Sequence, residues 1–373
     1  MKISPSQSNF LNWSRWVAAW FVVAEHARNL IFLDYADLNS PSIFAKAFYF
    51  ITGFGHEAVM VFFVISGFLV GGKVWSLYRA GRFGWRRYLA DRLSRLYAVL
   101  IVALLLGATL DWAGYSFFNS YGLYNKGYEV PIAVLEAPPC DRMGLSDFIV
   151  NALFLQKIIG QPYGSNGPLW SLAYEWWYYI LFPALLMICL SGGLGRKLLG
   201  TAVALCVFFL LPANVLCLFG IWCLGVLASL WVKHVPPVWL TGGVFAVVAL
   251  MARLEVLPSF YIWQYALGVA FSLLLVSMNG PATFVPLSRL SHCLADFSYS
   301  VYLIHFPVLM FTLSLGFDLL GYGIRLPFSF SGMVWYFGIF GIAIITSWLI
   351  SFFTECKTSF LRLMLYRLFC VSH

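Results

Sequence analysis

Met333-Val-Trp-Tyr-Phe-Gly-Ile-Phe-Gly-Ile-Ala-Ile-Ile-Thr-Ser-Trp-Leu-Ile-Ser-Phe-Phe353 contains no charged side chain. Crossing a hydrocarbon core about 30 Å thick takes about 20 such residues in a helix. Inside that core the backbone must satisfy its own polar groups, which a helix does within one segment. The stretch therefore reads as a membrane-spanning helix. Working back along the chain, comparable runs lie at Trp13–Leu33, Ala58–Trp75, Leu96–Tyr115, Leu169–Leu190, Leu198–Leu211, Val215–Val232, Val238–Leu254, Phe260–Met278 and Phe297–Leu319. Together they predict an all-α polytopic membrane protein of about ten transmembrane helices.

Composition agrees. Of 373 residues, 61% are hydrophobic, 19% aromatic and only 10% charged, against roughly a quarter charged in soluble domains. The 23 Lys and Arg and 15 Asp and Glu cannot solvate a globule of this size. The mean hydropathy of +0.84 points the same way. A soluble enzyme, a disordered chain and a collagen-like fibre are excluded. No internal repeat is visible, which counts against transporter folds built from repeated halves.

The net charge of +8 is a topology signal rather than a nucleic-acid footprint, because no basic stretch lies outside the apolar spans and their loops. With the N-terminus placed in the cytoplasm and sides alternating, 15 basic residues fall inside and six outside, with Arg15 and Arg28 left within the first span. The bias predicts an even number of spans with both termini cytoplasmic. The polar start, Met1 to Asn12, lacks the pattern of a cleaved leader, so the first span is expected to remain in the protein. The eight cysteines form no disulfide framework: Cys189, Cys206, Cys217 and Cys223 lie in apolar runs, and Cys140 stands apart in a polar loop. The chain is expected to be a single membrane domain over residues 1–373. It would carry a basic cytoplasmic hairpin at 76–95 and a long periplasmic loop at 114–168, with a short helix near Ser146–Leu155.

Ionisable groups inside spans are costly and become functional candidates. Arg15 and His26 lie about three turns apart on one face of the first span, roughly 16 Å along the axis. Arg28 points nearly opposite and is expected to snorkel outward. Two readings compete for Arg15, an interfacial anchor and a functional cation, and two for His26, a packed neutral imidazole and a proton acceptor. Glu175 lies about two turns into the fourth span, as a cap, a partner for an interior cation, or a functional carboxylate. His305 lies near the middle of the ninth, where the bland reading is a core histidine. Ser66-Gly67 interrupts the second span, where helix packing through small residues is the simpler account. Arg92 and Arg95, at i and i+3, share a helix face. They are either topology anchors or a fork for phosphate oxygens. Walker, His-Glu-x-x-His and nucleophile-elbow motifs are absent, as are Cys or His pairs at zinc spacing, and no metal is expected.

Five segments, in order, resemble the acyltransferase 3 family of bacterial membrane acyltransferases. Leu11-Asn-Trp-Ser-Arg15 with His26-Ala27 is similar to its opening Leu-Asp-x-Leu-Arg…His-Ala. Phe62-Phe-Val-Ile-Ser-Gly-Phe68 is similar to its second-span signature, and Arg92-Leu-Ser-Arg95 to its Arg-x-x-Arg pair. Trp170-Ser-Leu-Ala-Tyr-Glu175 resembles its Trp-Ser-Leu-x-x-Glu, and Ser298-Tyr-Ser-Val-Tyr-Leu-Ile-His305 its Ser-Tyr-x-x-Tyr-Leu-x-His. Asn12 stands where Asp is usual and Ser14 where a large aliphatic residue is usual. The resemblance implies transfer of an acyl group, commonly acetyl, from cytoplasmic acyl-CoA (acetyl-CoA being the usual donor). The acceptor would be a hydroxyl of a cell-envelope glycan or lipid-linked saccharide such as O-antigen or exopolysaccharide.

On that basis His26 and Glu175 are the expected catalytic residues. Arg15, Arg92 and Arg95 are the expected donor-binding residues, and Ser66, Tyr302 and His305 are placed along a substrate pathway. Expected partners are acyl-CoA, a carbohydrate or glycolipid acceptor and the lipid bilayer, with no nucleic acid. The expected location is the bacterial inner membrane, multi-pass. The hydrolase-like domain that some members append is not expected. The competing class is a transporter or flippase of a lipid-linked saccharide, which needs intramembrane charge but no phosphate fork for CoA. Topology is testable at once: Arg82→Cys and Lys126→Cys should react with an impermeant thiol reagent from opposite sides of the membrane. Labelling of both from one side would overturn the orientation.

Overall fold

The computed structural model describes residues 3–125, 135, 137–231, 236–254, 256, 260–279, 288–321 and 323–369. Of the basic residues used in the topology count, Lys2, Lys126 and Lys233 lie outside the described residues, as does most of the stretch 126–136 of the predicted periplasmic loop. The chain is 79% helix with no strand among the described residues. In order, the helices are α1 (Pro5–Ile31), α2 (Ile43–Ile51), α3 (Gly55–Ser66), α4 (Gly72–Arg79), α5 (Trp85–Phe117), α6 (Leu145–Ala152), α7 (Trp170–Leu190), α8 (Leu194–Leu210), α9 (Ala213–Leu230), α10 (Val238–Arg253), α11 (Phe260–Ser277), α12 (Ser288–Asp296), α13 (Ser298–Leu320), α14 (Phe330–Ser351) and α15 (Thr358–Leu368). Each apolar run quoted above overlaps one of these helices, except Ala58–Trp75, which runs through both α3 and α4. Among the described residues, six helical stretches are long and apolar enough to cross a membrane, and Val238–Arg253 and Tyr261–Ser277 are shorter apolar helices. The protein is a polytopic, all-helical membrane protein.

The helices cluster into two compact units. One comprises Met1–Ala18, His56–Gly84 and Ser171–Ala295, the other Ala19–Gly55, Trp85–Trp170 and Asp296–His373. In the first, α3 runs into α4 through a π-helical segment, Gly67–Gly71. Such segments admit one extra residue per turn and recur at functional sites. The segment coincides with a close approach between helices. A Cβ at Gly67 would run into the carbonyl oxygen of Trp222, and one at Gly225 into that of Val64. Two small residues thus let the backbones of α3 and α9 touch. The Trp222 indole N–H donates to Ser66 Oγ at 3.0 Å, closing the seam with a bond between buried groups. Thr241 donates to Ser277 Oγ at 2.9 Å between α10 and α11.

The second unit is organised around α13, which is buried along most of its length. α5 and α14 pack against it, and α15 packs on α5. α5 begins at Trp85, so the basic segment is helical almost throughout and only residues 80–84 connect it to α4. The apolar run starting at Leu96 marks where lipid begins, not where the helix begins. Arg, Leu and Ala between Gly84 and Leu96 are good helix formers with no breaker among them.

Arg28 does not snorkel outward. It is 8% exposed and donates to the Tyr49 carbonyl at 3.0 Å, Thr52 Oγ1 at 3.4 Å and Asn29 Oδ1 at 2.7 Å. α2, which lies outside the predicted spans, supplies the Tyr49 carbonyl that makes an inward guanidinium affordable. Beyond α1, Leu33 N–H donates to the Leu326 carbonyl at 2.9 Å and Leu326 N–H to that of Ile31 at 2.7 Å. Arg325 adopts a left-handed backbone, φ 59°. Its guanidinium forks onto both oxygens of Asp34 at 3.1 and 2.8 Å, which holds the Asp34 carboxyl below the usual carboxylate range.

The seam between α3 and α9 predicts its own failure. Gly225→Val should cost about 1–3 kcal/mol or more by overpacking and lower the thermal midpoint and folded yield in detergent. Gly242→Val, where no described atom lies within 4 Å of the new Cβ, should change neither.

Candidate functional site

α13 carries Pro307 inside the helix. A proline has no N–H, so the carbonyl four residues earlier, that of Leu303, loses its helical donor. In a membrane interior that loss must be made good. Asn166 supplies it, its side-chain Nδ2 donating to the Leu303 carbonyl at 2.8 Å. The Tyr302 hydroxyl donates back to the Pro168 carbonyl at 3.3 Å. Asp111, fully buried in α5, accepts from Ser165 N–H and Oγ, each at 2.7 Å. The end of the loop before α7 is thereby pinned both to α5 and to the turn of α13 that bears His305.

His305 is fully buried. Its Nδ1 lies 2.8 Å from the Val301 carbonyl oxygen and its Nε2 2.8 Å from His26 Nδ1. The two imidazoles are nearly coplanar, 4° apart, with centroids at 5.2 Å. Phe306 meets the His26 ring edge-on at 5.2 Å. His26 is only half-buried, and its Nε2 receives no hydrogen bond from any described residue. Tyr302 flanks His305, ring to ring, at 6.3 Å. The arrangement is an open imidazole nitrogen backed by a second, buried imidazole. That is the geometry of a base and the group that orients it.

Two predicted residues meet in the first unit. Glu175, half-buried on α7, accepts from the Tyr179 hydroxyl one turn on. Tyr179 and Ser66 hydroxyls are 3.2 Å apart. With the Trp222 indole donating to Ser66, the donors run in one direction and end on the Glu175 carboxylate. Ser66 is therefore more than a small packing residue: it passes a hydrogen-bond chain across the seam. Arg15 belongs to the same unit and is half-buried on α1.

Arg92 and Arg95 lie on the N-terminal part of α5, in the second unit. Arg95 is 3.6 Å from Glu355, with 39% of its side chain exposed, and its guanidinium lies 5.8 Å from the Tyr299 ring centroid. Glu355 is itself buried and accepts from Ser300 N–H at 3.1 Å and Ser300 Oγ at 2.7 Å. A carboxylate at the first turn of α13 is favoured by the helix dipole. Sequence reasoning missed Tyr179, Trp222 and Glu355. Only Tyr179 left a signal, standing at i+4 from Glu175. Among the described residues, no three His, Cys, Asp or Glu side chains gather as a metal site.

A family model described as an acyltransferase domain matches residues 8–352. A protein of Haemophilus influenzae bearing the name "Uncharacterized protein" is 28% identical over 156 residues, 41% of this chain and 58% of that protein. This chain thus spans little more than half of that relative. No solved structure matches.

The proline–asparagine pair gives a stability test. Asn166→Ala should cost about 1–3 kcal/mol by leaving the Leu303 carbonyl without a donor, read as a fall in the unfolding midpoint. Adding Pro307→Ala restores a backbone N–H to that carbonyl, so the double variant should lose less than the sum of the two single losses.

Proposed function

The chain belongs to the acyltransferase 3 family of membrane acyltransferases, and on that premise we propose that it moves an acyl group, acetyl in the first instance, from cytoplasmic acyl-CoA to a hydroxyl of a cell-envelope glycan or lipid-linked saccharide. The observation that carries the reading is the His26–His305 pair at 2.8 Å. An alcohol must lose its proton as it attacks a thioester carbonyl, and a neutral imidazole with a free ring nitrogen can take it. His26 is the general base. Glu175, at the end of its donor chain, remains an acceptor and binds sugar hydroxyls. Ser66 holds that chain, and Tyr302 braces the turn beside His305.

Arg92 and Arg95 recognise the phosphates of the donor, and Arg15 is proposed separately as a donor-binding residue. Guanidinium–phosphate contacts are charge-assisted and forked, and the exposed part of the Arg95 side chain supports that use. Ten spans with both termini cytoplasmic put the arginines of α5 on the side where acyl-CoA is made, in the inner membrane of a bacterium.

Purified protein in lipid nanodiscs, given acetyl-CoA and an envelope-glycan extract, should release free thiol and acetylate the extract. Arg92→Ala and Arg95→Ala should each weaken coenzyme A binding by about 1.5–3 kcal/mol, roughly tenfold to a hundredfold. His26→Gln should cut turnover about 10²–10⁴-fold while coenzyme A still binds. Wild-type turnover by His26→Gln would overturn the base assignment. Absence of any thiol release from acetyl-CoA by the wild type would overturn the function.

A further inference from the structure

The sequence places His305 along a substrate pathway, and its surroundings point to a further role. It is fully buried, and both ring nitrogens are engaged, one by the Val301 carbonyl and the other by His26. A carbonyl oxygen can only accept, so the proton in the first of these contacts belongs to His305 Nδ1. A neutral imidazole carries one N–H, and a second proton would place a charge in a fully buried site where no described carboxylate bonds the ring. Nε2 of His305 is therefore an acceptor. The proton in the contact between the two histidines then belongs to His26 Nδ1, which leaves the lone pair of His26 on Nε2. That is the nitrogen that no described residue bonds.

We infer that His305 is a positioning residue that fixes the tautomer of His26, through the chain Val301 carbonyl, His305 and His26, so that Nε2 faces the acceptor hydroxyl as a base. The inference rests on the acyl-transfer reading proposed above. In the transfer, His26 Nε2 takes the hydroxyl proton as that oxygen bonds to the thioester carbonyl carbon. The C–S bond then breaks, and the coenzyme A thiolate leaves with the proton returned by His26. Between these steps the imidazolium donates from Nδ1 to His305 Nε2, which stabilises it. The chain ends on an amide carbonyl, a poor proton acceptor, so His305 orients the base rather than carrying the proton away. The usual partner of a catalytic imidazole is a carboxylate; here a second imidazole, itself locked by backbone, takes that place.

Two measurements on the full chain in nanodiscs test this. Nitrogen-15 spectra of protein labelled only at histidine, assigned by loss of signals in His26→Gln and His305→Gln, should show both residues protonated at Nδ1 and bare at Nε2. His26 protonated at Nε2 would overturn the inference, whatever the enzyme turns over. Acetyl-CoA turnover separates orientation from packing. His305→Leu should lower kcat about 10²-fold or more, the scale of losing a competent base, with KM for acetyl-CoA within about twofold. His305→Gln, whose Oε1 can still accept from His26 Nδ1–H, should recover at least a tenth of the wild-type kcat. Equal losses in Leu and Gln, or a wild-type kcat in Leu, would overturn the positioning role. If the wild type releases no thiol from acetyl-CoA, the acyl-transfer reading falls instead, and the spectra still decide the tautomer.

Discussion

A polar group surrounded by hydrocarbon must find its partner within the protein, because no water is there to provide one. α13 shows how far that constraint reaches. Its first turn presents an N–H and a hydroxyl at Ser300, and Glu355 takes both. Its second presents the Val301 carbonyl to His305. Its proline frees the Leu303 carbonyl, and a loop asparagine comes in to meet it. Near its far end, Ser314 donates to the Phe118 carbonyl. Each obligation recruits a different segment of chain. A helix that would otherwise be an apolar rod becomes the hub on which the arginine-bearing helix, the loop before α7 and the paired histidines are assembled.

The same rule explains what the sequence disclosed. Hydrophobic runs report where lipid must be met, so they located the helices. They underestimated α5, because a helix need not stop where the lipid stops. Ionisable residues inside spans are too costly to be accidental, so His26, Glu175 and His305 were recognisable as individuals. Their relations were not. His26 and His305 are 279 residues apart, and no local spacing announces that their rings will lie coplanar. Arg28 was misjudged for a related reason. Snorkelling is the default for a cation near a helix end, and the Tyr49 carbonyl and Thr52 hydroxyl that help to hold Arg28 inward are invisible in the local sequence.

Small residues and aromatic residues divide the work of the first unit. Gly67 and Gly225 remove the side chains that would keep α3 and α9 apart. Trp222 then uses its bulk to fill the space beside the seam, stacking with Phe219 at 5.8 Å, and its indole N–H to orient Ser66. Packing and polarity are therefore one arrangement: the contact that brings the helices together also points a hydroxyl toward Tyr179, and through it toward Glu175.

The clasp formed by Arg325 and Asp34 has a consequence for how the protein meets its surroundings. The Asp34 carboxyl is held below its ordinary value, so its contribution to stability is complete above the unfolded carboxylate range and is lost only as pH falls through that lowered value. With 46% of the Asp34 side chain exposed, the pair contributes no more than about 1 kcal/mol, and mobile ions screen it. Across the acidities in which cells grow, the clasp stays shut. It is the saltiness of the bathing solution, rather than its acidity, that tightens or slackens the segment following α1 against Leu326.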